Sequence, residues 1–95
     1  MKFEWDESKN ASNIEKHGLD FADGKEMFQA PMLTKLDTRF DYNEDRYVGI
    51  GFVKNIVVVV VFTEPARDTV RFISLRKAVK HERNEYEQAL KNRLG

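Results

Sequence analysis

The chain has 95 residues, 41% of them hydrophobic and 34% charged, which suits one soluble globular domain and excludes a disordered chain. It has no cysteine, which excludes disulfides, thiolate metal sites and a cysteine nucleophile and fits a reducing compartment. A formal net charge of +0 argues against a constitutive nucleic-acid binder with a broad basic face.

The elements are read in chain order, without repeats, low-complexity segments or linkers. Phe3 and Trp5 suggest a short edge strand. Asp6 is an N-cap candidate, its carboxylate able to accept from the first-turn amides of a helix over residues 7–16. His17-Gly18 closes that helix, with Gly18 supplying the left-handed cap. A second helix is expected over 21–29, with Phe21, Met27 and Phe28 facing the core; Gly24 weakens it and Pro31 ends it. The pattern then changes to period two. Strands are expected over 32–36, over 46–52 with Val48, Ile50 and Phe52 on one face, over 56–62 and over 70–75. Lys54-Asn55 is a two-residue turn. Residues 56–62 are apolar on both faces, which marks a central strand covered on both sides. A last helix is expected over 77–94, with Val79, Tyr86 and Leu90 along one stripe. The whole reads as a single α+β domain over 1–95: two N-terminal helices, a four-stranded, mainly antiparallel sheet and a C-terminal helix.

The apolar run 56–62 is too short to cross a bilayer, and the opening MKFEWDESKN lacks the apolar core of a signal peptide. A cytoplasmic protein without a membrane role is therefore expected. The charge is divided along the chain: residues 66–95 hold 8 basic and 4 acidic residues, and residues 1–65 hold 8 and 12. A local positive surface suits an anionic ligand or an acidic partner, whereas charge alone favours a merely solvated terminal helix.

Three groups of residues carry potential chemistry. Lys9, Asn13 and Lys16 share one face of the first helix, with His17 at its end. Two ammonium groups could grip a phosphate there, and an imidazole moves protons near neutral pH. Spacing alone favours a solvated face ending in a capping histidine. The second group is Arg46, Arg67, Arg71 and Arg76, whose guanidinium forks match phosphate geometry and keep their charge. Arg71, inside an apolar strand, either lies at a cleft rim or pairs with a buried carboxylate such as Glu64. Five residues separate Arg71 from Arg76, so a regular strand points them to opposite faces; one site can use both only if the strand ends or bulges near Leu75. The third group, Asp37, Asp41, Glu44 and Asp45, lacks the ligand alternation and central glycine of a calcium loop and reads better as a solvated loop than as a magnesium site. Ser74 has no glycine-flanked elbow around it.

Several motifs together resemble one family. Phe3-x-Trp5-Asp6-x-x-Lys9 and Asn13-x-x-Lys16-His17-Gly18-Leu19-x-Phe21 resemble the opening of BrnT toxins. Asp37-x-Arg39-x-Asp41-Tyr42-x-Glu44-x-Arg46 leading into Gly49-x-Gly51 is similar to the family's charged loop and next strand. Thr63-Glu64, Arg71-x-Ile73-Ser74-x-Arg76-Lys77-Ala78, Glu82-Arg83 and Tyr86 resemble its closing strand and helix.

The resemblance implies a RelE-like fold and a ribonuclease toxin of a type II toxin–antitoxin system. It also implies cleavage without metal or cofactor by attack of the 2′-hydroxyl on the adjacent phosphate, and hence arrest of translation and growth. A BrnA-type antitoxin is implied as protein partner, with DNA reached only through it. The site residues implied are His17 as proton shuttle, Arg71 and Arg76 as phosphate stabilisers, and Lys9, Lys16, Arg46 and Arg67 as RNA-positioning charges. The alternative is an antitoxin-binding, co-repressing module of the same fold with little or no catalysis. Three positions depart from the pattern: Gly24 and Leu75 stand where alanine is usual, and Pro65 where arginine is common, with Arg67 able to replace that charge.

Overall fold

The computed structural model describes residues 1–38 and 43–94, so Arg39, Asp41 and Tyr42 of the charged loop lie outside the described residues. The order is β1 (Lys2–Glu4), α1 (Glu7–His17), a 3₁₀ segment (Phe21–Gln29), β2 (Leu33–Leu36), β3 (Tyr47–Val53), β4 (Ile56–Ala66), β5 (Thr69–Lys77) and α2 (Lys80–Leu94). The sheet has five strands rather than four, in the order β1-β5-β4-β3-β2. Its extra strand is the edge segment around Phe3, which pairs parallel to β5 and makes the sheet mixed. The second expected helix has its expected bounds but 3₁₀ geometry, and the last helix starts at Lys80 because Lys77 still belongs to β5. Val79 precedes that helix and is 50% exposed, so it is not part of the core stripe that Tyr86 and Leu90 form.

The all-apolar segment does become the middle strand. Val58, Val60 and Phe62 point to a thick layer with Phe21, Met27, Val53, Val70, Phe72 and Leu75, closed by Phe3, Trp5 and Phe28. Val57 and Val59 point to a thinner layer with Ile50, Leu33, Tyr86 and Leu90 under α2. Phe72 is the hub of the thick layer, its ring 5.7–5.9 Å from those of Phe3, Trp5, Phe21 and Phe28. Lys54 and Asn55, at φ 50° and 68°, make the tight β3–β4 turn that brings these strands into register.

Two departures from the family pattern touch each other here. A Cβ on Gly24 would lie 3.0 Å from Phe72 Cε1 but at an ordinary contact distance of 3.5 Å from Leu75 Cδ2, so the missing methyl at 24 makes room chiefly for the Phe72 ring.

Helix α1 is attached differently from the other elements. Its buried residues are both asparagines, Asn10 and Asn13, while Ile14 stays exposed. Asp6 caps its start by accepting from the amides of Ser8 and Lys9, and Gly18 caps its end at φ 69°. Asn10 donates to Asp20 and accepts from the Phe21 amide, tying the helix to the 3₁₀ segment. Asn13 Nδ2 donates to the carbonyls of Leu19 and Leu75, both at 2.9 Å, and Asn13 Oδ1 accepts from Leu75 N at 3.0 Å. Since β1 reaches only to the level of Arg71, Leu75 would otherwise present an unpaired N–H and C=O at that edge. The Asn13 amide satisfies both, as a neighbouring strand would.

Candidate active site

The strand that carries most of the candidate residues is not regular. In the β4–β5 register Thr63 faces Arg71, Phe62 faces Phe72, Val61 faces Ser74 and Val59 faces Arg76, so Ile73 is an inserted residue. This bulge removes one residue from the alternation between Arg71 and Arg76. Both arginines and Ser74 therefore lie on the same face of the sheet, opposite Thr63, Val61 and Val59. Arg71 and Arg76 lie on either side of Ser74 along the strand, with their Cα atoms roughly 13 Å apart. The bulge also keeps Phe72 and Leu75 in the same core, which a regular strand could not do at a spacing of three.

Ser74 adjoins two clefts. The first, of about 260 Å³, lies between α1 and β5 and is lined by Lys9, Ser12, Asn13, Lys16, His17, Ile73 and Ser74. Among the described residues no acidic side chain lines it, and Lys9, Lys16 and His17 are all exposed. Asn13, which the sequence places in this polar stripe, is instead buried and committed to the Leu19 and Leu75 backbone. It fixes the helix that carries the cations and is not itself available to a ligand.

The second cleft, of about 390 Å³, lies beside α2 on the same sheet face, where the described residues leave it uncovered. Val48 and Val61 form its floor, with Val59 at its α2 margin, and Lys35, Leu36, Asp37, Thr38, Ser74, Arg76 and Glu82 surround it. Arg76 Nη1 and Nη2 each lie 2.8 Å from the Glu82 carboxylate. Glu82 also accepts from Val79 N at 2.9 Å, capping the start of α2. Lys35 Nζ lies 2.9 Å from Glu85 on the next turn of the helix.

The Arg76 fork, with help from the Val79 amide, holds the Glu82 carboxyl down at about 2 against an ordinary 4.5. A depressed carboxyl contributes stability that is present above the unfolded value of 4.5 and lost as pH falls towards about 2. Because Arg76 is 39% exposed, solvent screening leaves about 1–2 kcal/mol of that contribution. Glu82→Gln is expected to be less stable than wild type by that amount at neutral pH. The two denaturation curves should converge as pH falls towards 2, and a difference that persists in acid would contradict this origin.

The remaining arginines are spread out. Arg71 pairs with Glu4 on β1, at 2.8 Å from Nε and 2.7 Å from Nη2, both side chains being 45% exposed. Its carboxylate partner is thus Glu4 rather than Glu64, and it is solvent-facing rather than buried. Arg46 precedes β3; its Nε lies 3.5 Å from Glu44, and its carbonyl accepts from Asp37 N beside the second cleft. Arg67 lies at the β4–β5 turn, roughly 15 Å or more along the strand from Ser74, and is not brought to either cleft. Pro65, which has no amide proton to offer, sits where β4 slips register between Thr63 and Ala66. Among the described residues no three His, Asp or Glu side chains group closely enough to hold a metal ion.

Sequence reasoning weighed Ser74 only as a nucleophile and a motif position, not as a site residue, and passed over Lys35. A signal for Ser74 exists: Val70 and Phe72 alternate into the core, then Leu75 continues it one residue late, and that slip marks a bulge. Nothing local marks Lys35, whose place in the cleft depends on the pairing of β2 with β3.

Comparison with known proteins adds a family and a structure. Residues 5–82 match the family described as ribonuclease toxin, BrnT, of type II toxin-antitoxin system. The crystal structure of the Brucella abortus ribonuclease toxin, BrnT, matches with a TM-score of 0.66 and 36% identity, over 84% of this chain and 99% of that one. No curated protein matches the chain.

Proposed function

This chain belongs to the BrnT family of ribonuclease toxins of type II toxin–antitoxin systems, and we propose that it cleaves RNA without a metal, at the junction of β5 and α1. The observation that carries this reading is the bulge at Ile73. It places Ser74 between two arginines on one sheet face and next to the Lys9–Lys16–His17 cleft.

In this reading the scissile phosphate lies at Ser74. The RNA 2′-hydroxyl attacks the adjacent phosphorus, and the bond to the 5′-oxygen breaks to leave a 2′,3′-cyclic phosphate and a 5′-hydroxyl. His17 takes the proton from the 2′-hydroxyl and returns it to the leaving oxygen. Arg71 and Arg76 neutralise the charge that builds on the phosphate oxygens, and Lys9 and Lys16 hold the entering backbone. Arg46, just before β3, and Arg67, in the β4–β5 turn, would meet more distant phosphates.

The family implies a protein antitoxin as partner. We take it to be of the BrnA type and to dock through an acidic segment, reaching DNA only through that antitoxin. No helix of the described residues is long and apolar enough to cross a membrane; with RNA as its substrate, we take the chain to act in the cytoplasm.

Induced expression without the antitoxin is expected to arrest growth, and His17→Ala and Lys16→Ala, each folded by circular dichroism, are expected to relieve the arrest. The purified chain should cut RNA in excess EDTA and leave cyclic phosphate ends. Cleavage that stops with the chelator and returns with a divalent ion would overturn the metal-independent mechanism.

A second reading, an antitoxin-binding module with little catalysis, is favoured by one observation: the forks of Arg71 and Arg76 are already engaged by Glu4 and Glu82. A folded wild type that binds its antitoxin and leaves growth and RNA untouched would select it.

A further inference from the structure

The two clefts that meet at Ser74 differ in chemistry, and the difference points to two parts of one nucleotide. The α1 cleft has Lys9, Lys16 and His17 in its lining and, among the described residues, no acid, which suits the negative charge of a phosphodiester. The sheet-face cleft has two cations, Lys35 and Arg76, balanced by two acids, Asp37 and Glu82. A phosphate seated within it would meet those acids, so Arg76 can serve the scissile phosphate only across Ser74, its near neighbour on β5. The floor of this cleft is Val48 and Val61, paired across β3 and β4, with buried Val59 at its α2 margin, flat because all three project from one face of a sheet.

A flat apolar floor edged by both donors and acceptors fits a neutral planar heterocycle with polar edges. The volume of about 390 Å³ falls within the ~300–1,000 Å³ of small-ligand sites. The floor is not covered by α2 because of where that helix begins. The row Leu33–Ile50–Val59–Arg76 lies under or against α2, and the next row, Lys35–Val48–Val61–Ser74, is the one that the described residues leave open. Ser74 ends that open row and also lines the phosphate cleft, so only a ribose need separate what the two clefts hold.

We propose that the valine-floored cleft is a nucleobase subsite. It holds the base of the nucleotide whose 2′-hydroxyl attacks, and gives cleavage a base preference set by the polar edge that Lys35 presents. This rests on the ribonuclease reading for its place in catalysis, but the binding of a base is measurable without it. The base lies on Val48 and Val61 with its edge towards Lys35, while its own 3′-phosphate lies past Ser74 among Lys9, Lys16 and His17.

The test separates binding from cleavage. Methyl and amide NMR spectra of the whole chain are titrated with nucleoside 3′-monophosphates and, as the base-free control, with inorganic phosphate. The nucleotides are expected to shift the methyls of Val48, Val59 and Val61 as well as amides around Lys16 and Ser74; phosphate should shift only the second set. Val61→Phe, which fills the cleft, should lose the valine shifts and keep the phosphate shifts. Should that variant not fold, Lys35→Ala on the exposed rim should reorder the four nucleotides by at least about threefold in apparent affinity. Identical shift patterns for nucleotide and phosphate overturn the subsite. In cleavage assays, an abasic residue at the attacking nucleotide should slow the reaction at least tenfold. A change of less than twofold overturns the base preference while leaving RNA cleavage standing. A chain that cuts no RNA but shows the valine shifts would overturn the catalytic reading and keep the base site.

Discussion

Asn13→Ala is expected to destabilise the chain by about 2–4 kcal/mol, since alanine leaves the buried N–H and C=O of Leu75 and the carbonyl of Leu19 without their partner. In a domain of this size that corresponds to a fall in melting temperature of roughly 10–25 °C. The magnitude exceeds that of an ordinary exposed amide because this one takes the place of a strand. β1 ends at the level of Arg71, and beyond it the β5 edge is met by one side chain. Apolar packing offers little in reserve, as the helix buries Asn10 and Asn13 and leaves Ile14 exposed. Asn13→Asp sharpens the test. The carboxylate keeps an acceptor for Leu75 N but places negative charge against two carbonyls. It should therefore be at least as unstable as alanine at neutral pH and recover in acid, when protonation restores a donor. A loss below about 1 kcal/mol for Asn13→Ala, measured by chemical denaturation, would mean that water replaces the amide and that α1 is held elsewhere. Activity should fall with α1, because the same helix carries Lys9, Lys16 and His17.

What could be read from the sequence divides along physical lines. Residues 56–62 marked the middle strand because a segment apolar on both faces has nowhere else to go, and Asp6, Gly18 and the Lys54-Asn55 turn are local signals that need no tertiary context. The parallel pairing of β1 was not legible, since three residues carry no period and their partner lies 67 positions away. Asn13 read as part of a polar surface stripe for a related reason: an amide that satisfies a distant backbone and an amide that faces water look alike at helical spacing. The arginine site was half legible. The conflict between Arg71 and Arg76 could be stated from parity, and the resolution is visible in the slip from Phe72 to Leu75. The partners of those arginines were not, because Glu4 and Glu82 are brought to them by the β1 pairing and by the start of α2. Lys35 depended wholly on the β2–β3 register.

Arg71→Ala is expected to lower the RNA cleavage rate by roughly 10²–10³-fold, the scale on which enzymes lose activity when one donor to a developing oxyanion is removed. The loss should fall on kcat more than on KM, since the charge it meets grows in the transition state. Lysine should restore little, because one ammonium cannot make the two parallel contacts of a guanidinium fork. The ion pair with Glu4 makes a further distinction possible. At 45% exposure on both sides it contributes little to stability, roughly 0–1 kcal/mol, so Arg71→Ala should leave the fold intact. Glu4→Gln then separates two roles for the same contact. If Glu4 aims the fork towards Ser74, its loss lowers the rate although the arginine remains. If Glu4 instead holds the fork away from the phosphate, its loss raises the rate, and the engaged arginines become a reason for low intrinsic activity. An Arg71→Ala rate within threefold of wild type would remove Arg71 from the site altogether. The phosphate charge would then have to be met by Arg76 and by the α1 cleft, where Lys16 and His17 stand next to Ser74.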